Sequence, residues 1–157
     1  MSYRVITDKK FLNKPCKEAT LKNKDKVISR IKGYLIANKG KAIGIAANQL
    51  GFNVAIFGIW LLEKNKIDIY VNPVIYKDGY LMDSDEGCMS IKNGTKHFGL
   101  KRRSYVEVHD ENHSEPQIFR DYMATVIQHE YDHTQGVLIS DLAVVQHAMK
   151  EADNGKS

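Results

Sequence analysis

The stretch "DYMATVIQHEYDHTQG", residues 121–136, decides how this chain is built. Tyr122 and Val126, and likewise Ile127 and Tyr131, stand four residues apart, the spacing of one face of an α-helix. Gly136 supplies the stop, since a glycine commonly ends a helix in the left-handed conformation. Inside the stretch stand His129, Glu130 and His133. Four residues of helix set the two histidines about one turn apart on one side. Two imidazoles so placed can share one zinc- or iron-sized ion at about 2.0–2.1 Å. Glu130, beside the first histidine, can then act as general base on a water at that ion.

Such a site needs a third protein ligand and an open position. The longer protease pattern HExxHxxGxxH fails here, because Gly136 is present but Ile139 stands where the third histidine belongs. A glutamate on a following helix is a second source, and Glu151 is the candidate. A third is a thiolate: Cys88 lies in the polar, loop-like "DEGCMS" at 85–90. A lone cysteine is also often a small buried hydrophobe. The residues alone favour Cys88 and leave Glu151 open.

Around this helix the pattern is mixed. Val27, Ile28, Ile31, Tyr34 and Leu35 predict an amphipathic helix over 23–38, stopped by "NKG". "NVAIFGIW" (53–60) and "IDIYVN" (67–72) read as strands. "VNPVIY" continues extended, because Pro73 pushes Asn72 away from helical angles. "SYVEVH" (104–109) alternates with period two, turns at "DENHSEP" and returns as "QIFR" (117–120). Residues 141–150 form a short last helix. The expectation is an α+β fold: short antiparallel sheets around a central metal-binding helix, with an N-terminal helix, in one domain over 1–157.

With 43% hydrophobic and 27% charged residues, the chain is an ordinary globular protein and not a disordered one. Its net charge is +4, with lysines crowded at 9, 10, 14, 17, 22, 24 and 26. That is a solvated basic face or a contact for an anionic partner such as ribosomal RNA. The first residues lack the apolar region of a signal peptide, and the run "VAIFGIW" is far below the ~20 residues of a membrane span. Cys16 and Cys88 fall in no paired spacing, so no disulfide scaffold is expected and the compartment is the cytoplasm.

Three segments in order, "GIAANQ" (44–49), "EGCMS" (86–90) and "QHEYDH" (128–133), resemble the signature motifs of the peptide deformylase family. The likeness extends more loosely over about residues 5–142. It implies a metallohydrolase that removes formate from the N-formylmethionine of new polypeptides. It also implies one divalent ion, natively Fe2+ with Zn2+, Ni2+ or Co2+ accepted, on Cys88, His129 and His133. Glu130 would be base and then acid; Gln49 and the backbone N–H of Met89 would hold the oxyanion. Gly44 would pair with the substrate strand, Ile43, Tyr122, Val126 and Thr125 would line the methionine pocket, and Glu86 would lie at the substrate site and fix the metal loop. Asp132 would pair with Arg102. The partners implied are N-formylmethionyl peptides and the ribosome near its exit tunnel, with no direct nucleic-acid function and no membrane.

The chain departs from the family pattern in places. Ala42 stands at the first motif glycine, Asn48 at a usual proline or threonine, and "IKNGTKHFGLK" (91–101) lacks the rim proline and arginine, with Lys96 as a replacement charge. A long basic C-terminal helix like that of some members is not expected. His97, His109, His113 and His147 are expected not to be ligands. Two other readings compete: a zinc peptidase using Glu151, and a non-catalytic binder of N-termini, supported by Ala42 and the altered rim.

Overall fold

The computed structural model describes residues 3–155, so the outermost residues of the 1–157 domain expectation lie outside the described residues. Along the chain come α1 (Lys9–Leu12), α2 (Lys24–Ala37), β1 (Gly44–Ala46), a short 3-10 turn (Ala47–Leu50), β2 (Ile56–Leu61) and β3 (Lys66–Val71). Then follow β4 (Val74–Glu86), a second 3-10 turn (Lys92–Gly94), β5 (Phe98–His109), β6 (Gln117–Arg120), α3 (Asp121–Thr134) and α4 (Ile139–Asn154). The strands form two three-stranded antiparallel sheets, ordered β1-β2-β3 and β4-β5-β6. The α+β expectation holds.

The apolar stripe of α2 is consumed on the first sheet. Val27, Ile31, Tyr34 and Leu35 pack against Ile45, Ile56, Trp60 and Ile69. The other side of that sheet meets α3, whose Ala124 and Ile127 join Phe57, Ile59 and Tyr70 from one sheet and Val106 and Val108 from the other. Helix α3 is therefore covered on both sides, which explains why its polar residues Gln128, Glu130 and His133 are buried. Gln128 makes that burial tolerable. Its Oε1 accepts from the Arg103 N–H at 3.1 Å, and its Nε2 donates to the Arg103 and Ala124 carbonyls at 2.8 and 2.9 Å.

Polar stitching closes the seams. The Ile6 N–H donates to the Gln49 carbonyl, and the Cys16 N–H to that of Thr134. Between the sheets, Asp110 accepts from the Val71 N–H, and His113 bridges Asp110 (2.7 Å) and Asp68 (2.9 Å).

Several expectations change. Strand β4 runs through Asp85 and Glu86, which the sequence suggested were loop, and β5 begins at Phe98 rather than 104. The last helix spans Ile139–Asn154, longer than 141–150. Asn72 is not extended but left-handed, with φ 50°. Its carboxamide there accepts from the Ala19 N–H at 2.8 Å and donates to the Ala19 carbonyl at 3.0 Å. Asparagine is among the few residues that tolerate this region.

Candidate metal centre and active site

Cys88 follows β4 directly, while His129 and His133 lie one turn apart on α3. Their donor atoms all lie within 4.8 Å of one another, and Cys88 Sγ is 3.5 Å from His133 Nε2. Ligands of a tetrahedral ion with bonds of 2.0–2.3 Å stand about 3.3–3.8 Å apart. The Cys88–His133 pair falls in that range, and a thiolate with two imidazoles is a donor set suited to zinc or iron. Glu130 Oε1 and His133 Nδ1 are buried without a hydrogen-bond partner, the mark of a site built for more than its own side chains.

The ligands are held from behind. Arg102 donates through Nε and Nη2 to both oxygens of Glu86, each at 2.8 Å, and through Nη1 to Asp132 at 2.6 Å. Glu86 Oε1 in turn lies 2.9 Å from His129 Nδ1. That leaves Nε2 of His129 for the ion, the usual carboxylate–histidine–metal relay. Burial raises the pKa of Glu86, but the bonds from Arg102 and His129 outweigh it and hold the carboxyl at about 2. Burial, then the positive fields of His129 and Arg102, lowers His133 well below its ordinary value. A neutral imidazole has a lone pair free to coordinate. Glu86 was expected at the substrate site; it borders the cleft, but both its oxygens are taken by Arg102 and His129.

Glu130 is 4% exposed, and burial above all pushes its pKa up to about 7. Gly44 makes its position possible: a Cβ there would stand 2.9 Å from Glu130 Cγ and 3.0 Å from Oε2. The Gln49 carboxamide is oriented by its own turn. Its Oε1 accepts from the Ala46 N–H at 3.1 Å, which turns Nε2 towards Cys88 Sγ (3.5 Å) and Ser90 Oγ (3.1 Å). Asn48, the motif departure, donates to the His133 carbonyl at 2.9 Å and so ties this turn to the end of α3.

A cleft of about 570 Å³ opens here. It is bordered by Ile43, Gly44, Gln49, Cys88, Met89, Tyr122, Thr125, Val126, His129 and Glu130, all residues that the motifs singled out. His133 lies behind it, 1% exposed. The sequence reading missed Lys41, Asp85, Asn93 and His97, which border the cleft too. Asn93 and His97 lie in the 91–101 rim that departs from the family pattern, whereas Lys41 and Asp85 gave no such signal. Lys96, expected to restore charge at the rim, lies over the Phe98 ring of that rim at 5.3 Å.

Two rival readings lose their footing. Glu151 is exposed on α4, paired with His147 at 3.5 Å, and among the described residues the metal-holding group is Cys88, His129 and His133. Ile139, in the vacant third-histidine slot, packs beside Cys88 and Leu100. Ala42 does not take positive φ and is buried in the core under α2. Only a small side chain is needed there, so the alanine carries no strain.

The family model described as "Polypeptide deformylase" matches residues 4–148. The chain is 35% identical over 143 residues to a peptide deformylase of Karelsulcia muelleri, covering 87% of this chain and 75% of that one. To a peptide deformylase of Clostridium beijerinckii it is 34% identical over 138 residues, covering 86% and 97%. Among solved structures, a peptide deformylase from Thermotoga maritima superposes with a TM-score of 0.79 at 27% identity, covering 90% and 97%. One from Synechococcus elongatus, in complex with actinonin, superposes with a TM-score of 0.77 at 26% identity, covering 99% and 95%. The chain belongs to the polypeptide deformylase family.

Proposed function

We propose that Cys88, His129 and His133 hold one divalent ion, beside which the chain carries out its family's reaction. It hydrolyses the formyl group from the N-terminal formylmethionine of newly made polypeptides and releases formate. The observation that carries this reading is the convergence of three donor atoms within 4.8 Å on a cleft shared with Glu130 and Gln49. The ion, when bound, supplies acidity, lowering the pKa of a coordinated water from 15.7 towards ~7.

The protein's own groups do the rest. Glu130 takes a proton from the attacking water and returns it to the departing amine. Its pKa, raised to about 7 by burial, suits both tasks at neutral pH. Gln49 Nε2 and the Met89 N–H donate to the oxygen on which charge develops. β1 is an end strand, so its outer edge is free to pair with the backbone of an extended peptide. Ile43, Tyr122, Val126 and the methyl of Thr125 then receive the methionine side chain. Thr125 suits this wall because its hydroxyl donates to the Tyr122 carbonyl at 2.6 Å.

A thiolate with two imidazoles favours iron or zinc over magnesium or calcium. Fe2+ is the native ion in this reading, with Zn2+, Ni2+ or Co2+ able to replace it. Its setting is the cytoplasm, where the enzyme meets new chains near the ribosome. Anaerobic loading with Fe2+ should give one ion per chain, and Cys88→Ser should lose it. Full metal content in Cys88→Ser would exclude this ligand set.

A further inference from the structure

Residues 1–41 carry twelve Lys and Arg against three Asp and Glu, a net of +9, whereas residues 42–157 carry eleven against sixteen, a net of −5. The small overall charge of +4 hides this segregation. In the structure the basic third of the chain is an arm whose α1 reaches the start of α4, with Lys9 on Asp141 at 2.6 Å, followed by α2 laid on the first sheet. The buried side of α2 is occupied by Val27, Ile31, Tyr34 and Leu35, so its charged residues are turned outwards. Lys22, Lys26, Lys32 and Lys39 are all exposed along this helix and its two ends. Lys26 and Lys39 are steadied over the rings of Phe52 (5.8 Å) and Trp60 (5.0 Å). Lys41 continues the row to the border of the cleft.

We propose that the outward face of α2, with its flanking lysines, is a docking surface for the phosphate backbone of RNA, which would hold the cleft beside an emerging formylated chain. The choice of RNA rests on the deformylase reading, because the substrate is made on an RNA-rich machine. Row spacing agrees: the 14 residues of α2 span about 21 Å at 1.5 Å per residue, long enough to follow several phosphates. Insertion into a membrane surface would need a continuous free apolar stripe opposite the charges; on α2 that stripe is spent on the sheet, and the exposed Leu21 and Ile36 are isolated apolar residues fifteen positions apart. Binding through phosphates releases counterions, so affinity should fall steeply with salt.

The test is fluorescence anisotropy with a labelled RNA hairpin, a DNA hairpin of the same sequence and phosphatidylserine vesicles, titrated from low to physiological KCl. The wild type should prefer the RNA. A Lys22→Glu/Lys26→Glu/Lys32→Glu variant should bind it at least tenfold more weakly, with the salt slope reduced by roughly 0.7–0.9 for each phosphate it no longer neutralises. Lys64→Glu/Lys66→Glu, on the β2–β3 hairpin, should bind as the wild type does. Formate release from both variants shows that they are folded. Binding of the triple variant within twofold of wild type overturns the proposal, and so does tighter binding to DNA or to vesicles. Absence of formate release from every protein, wild type included, would instead overturn the deformylase reading and leave the binding result standing.

Discussion

Gly44 and Glu130 constrain each other, and this contact is the most exacting in the site. The glycine is not needed for an unusual backbone angle, since its φ is not positive; it is needed because the carboxylate arm of Glu130 occupies the space a Cβ would take. Gly44→Ala should therefore displace the base and lower kcat by about 10²-fold, the order expected for a misplacement near 1 Å, with little change in metal content. Gln49→Leu should cost ~10²–10³ in kcat by removing one oxyanion donor, with little change in KM. Arg102 is a different case, because it stabilises charges rather than touching substrate. Arg102→Leu removes both guanidinium bonds to Glu86 and the one to Asp132, leaving the buried Glu86 carboxylate with His129 alone, and breaking a buried ion pair typically costs about 3–5 kcal/mol. Urea unfolding of the metal-free protein should register that loss, and an unchanged midpoint would contradict the role given to the Arg102–Glu86–Asp132 cluster.

At the scale of elements, the two sheets contribute different parts. The metal ligands come from β4's end and from α3, both tied to the second sheet, whereas Gln49 and the open strand edge come from the first. His113 clasps the seam, with one ring nitrogen on Asp110 and the other on Asp68; the Tyr70 hydroxyl also donates to Asp68. Only a protonated imidazole can donate to both. Partial burial opposes that charge, yet the two carboxylates prevail and raise the pKa. A raised folded-state pKa stabilises the protein fully below the unfolded value of about 6.5, and the gain is lost as pH rises through the folded value. The Tm difference between wild type and His113→Gln should thus be largest in acid and shrink above pH ~6.5. A difference that grew with pH would contradict the clasp. None of this was legible in the sequence, where His113 is one letter in a turn. Helices α2 and α3 were legible because both bury a stripe at helical spacing. β4 and the start of β5 were not, because their inward positions hold Glu86, Arg102 and Ser104, buried polar residues that erase the apolar half of the alternation.

For the whole molecule, the residues that border the cleft were more legible than the bounds of the strands around it. Three short motifs name residues that stand far apart in sequence and meet at one cleft, because the chemistry tolerates few alternatives at each position. What the motifs could not supply was support and rim: the Ala46 N–H that turns Gln49, the Asn48 tie to α3, and the cleft-bordering Lys41, Asp85 and His97. Those residues answer to the surrounding packing, which no spacing rule encodes. The segregated charge was visible in the sequence, but the exposed row of lysines along α2 needed the fold. The central claim concerns chemistry at the assembled cleft, and formate release tests it most directly. Protein purified anaerobically with Fe2+ should release formate from a formyl-Met peptide, and Glu130→Gln, with its metal retained, should lose about 10²–10⁴-fold of that rate. Release by wild type no faster than by Glu130→Gln would contradict the account.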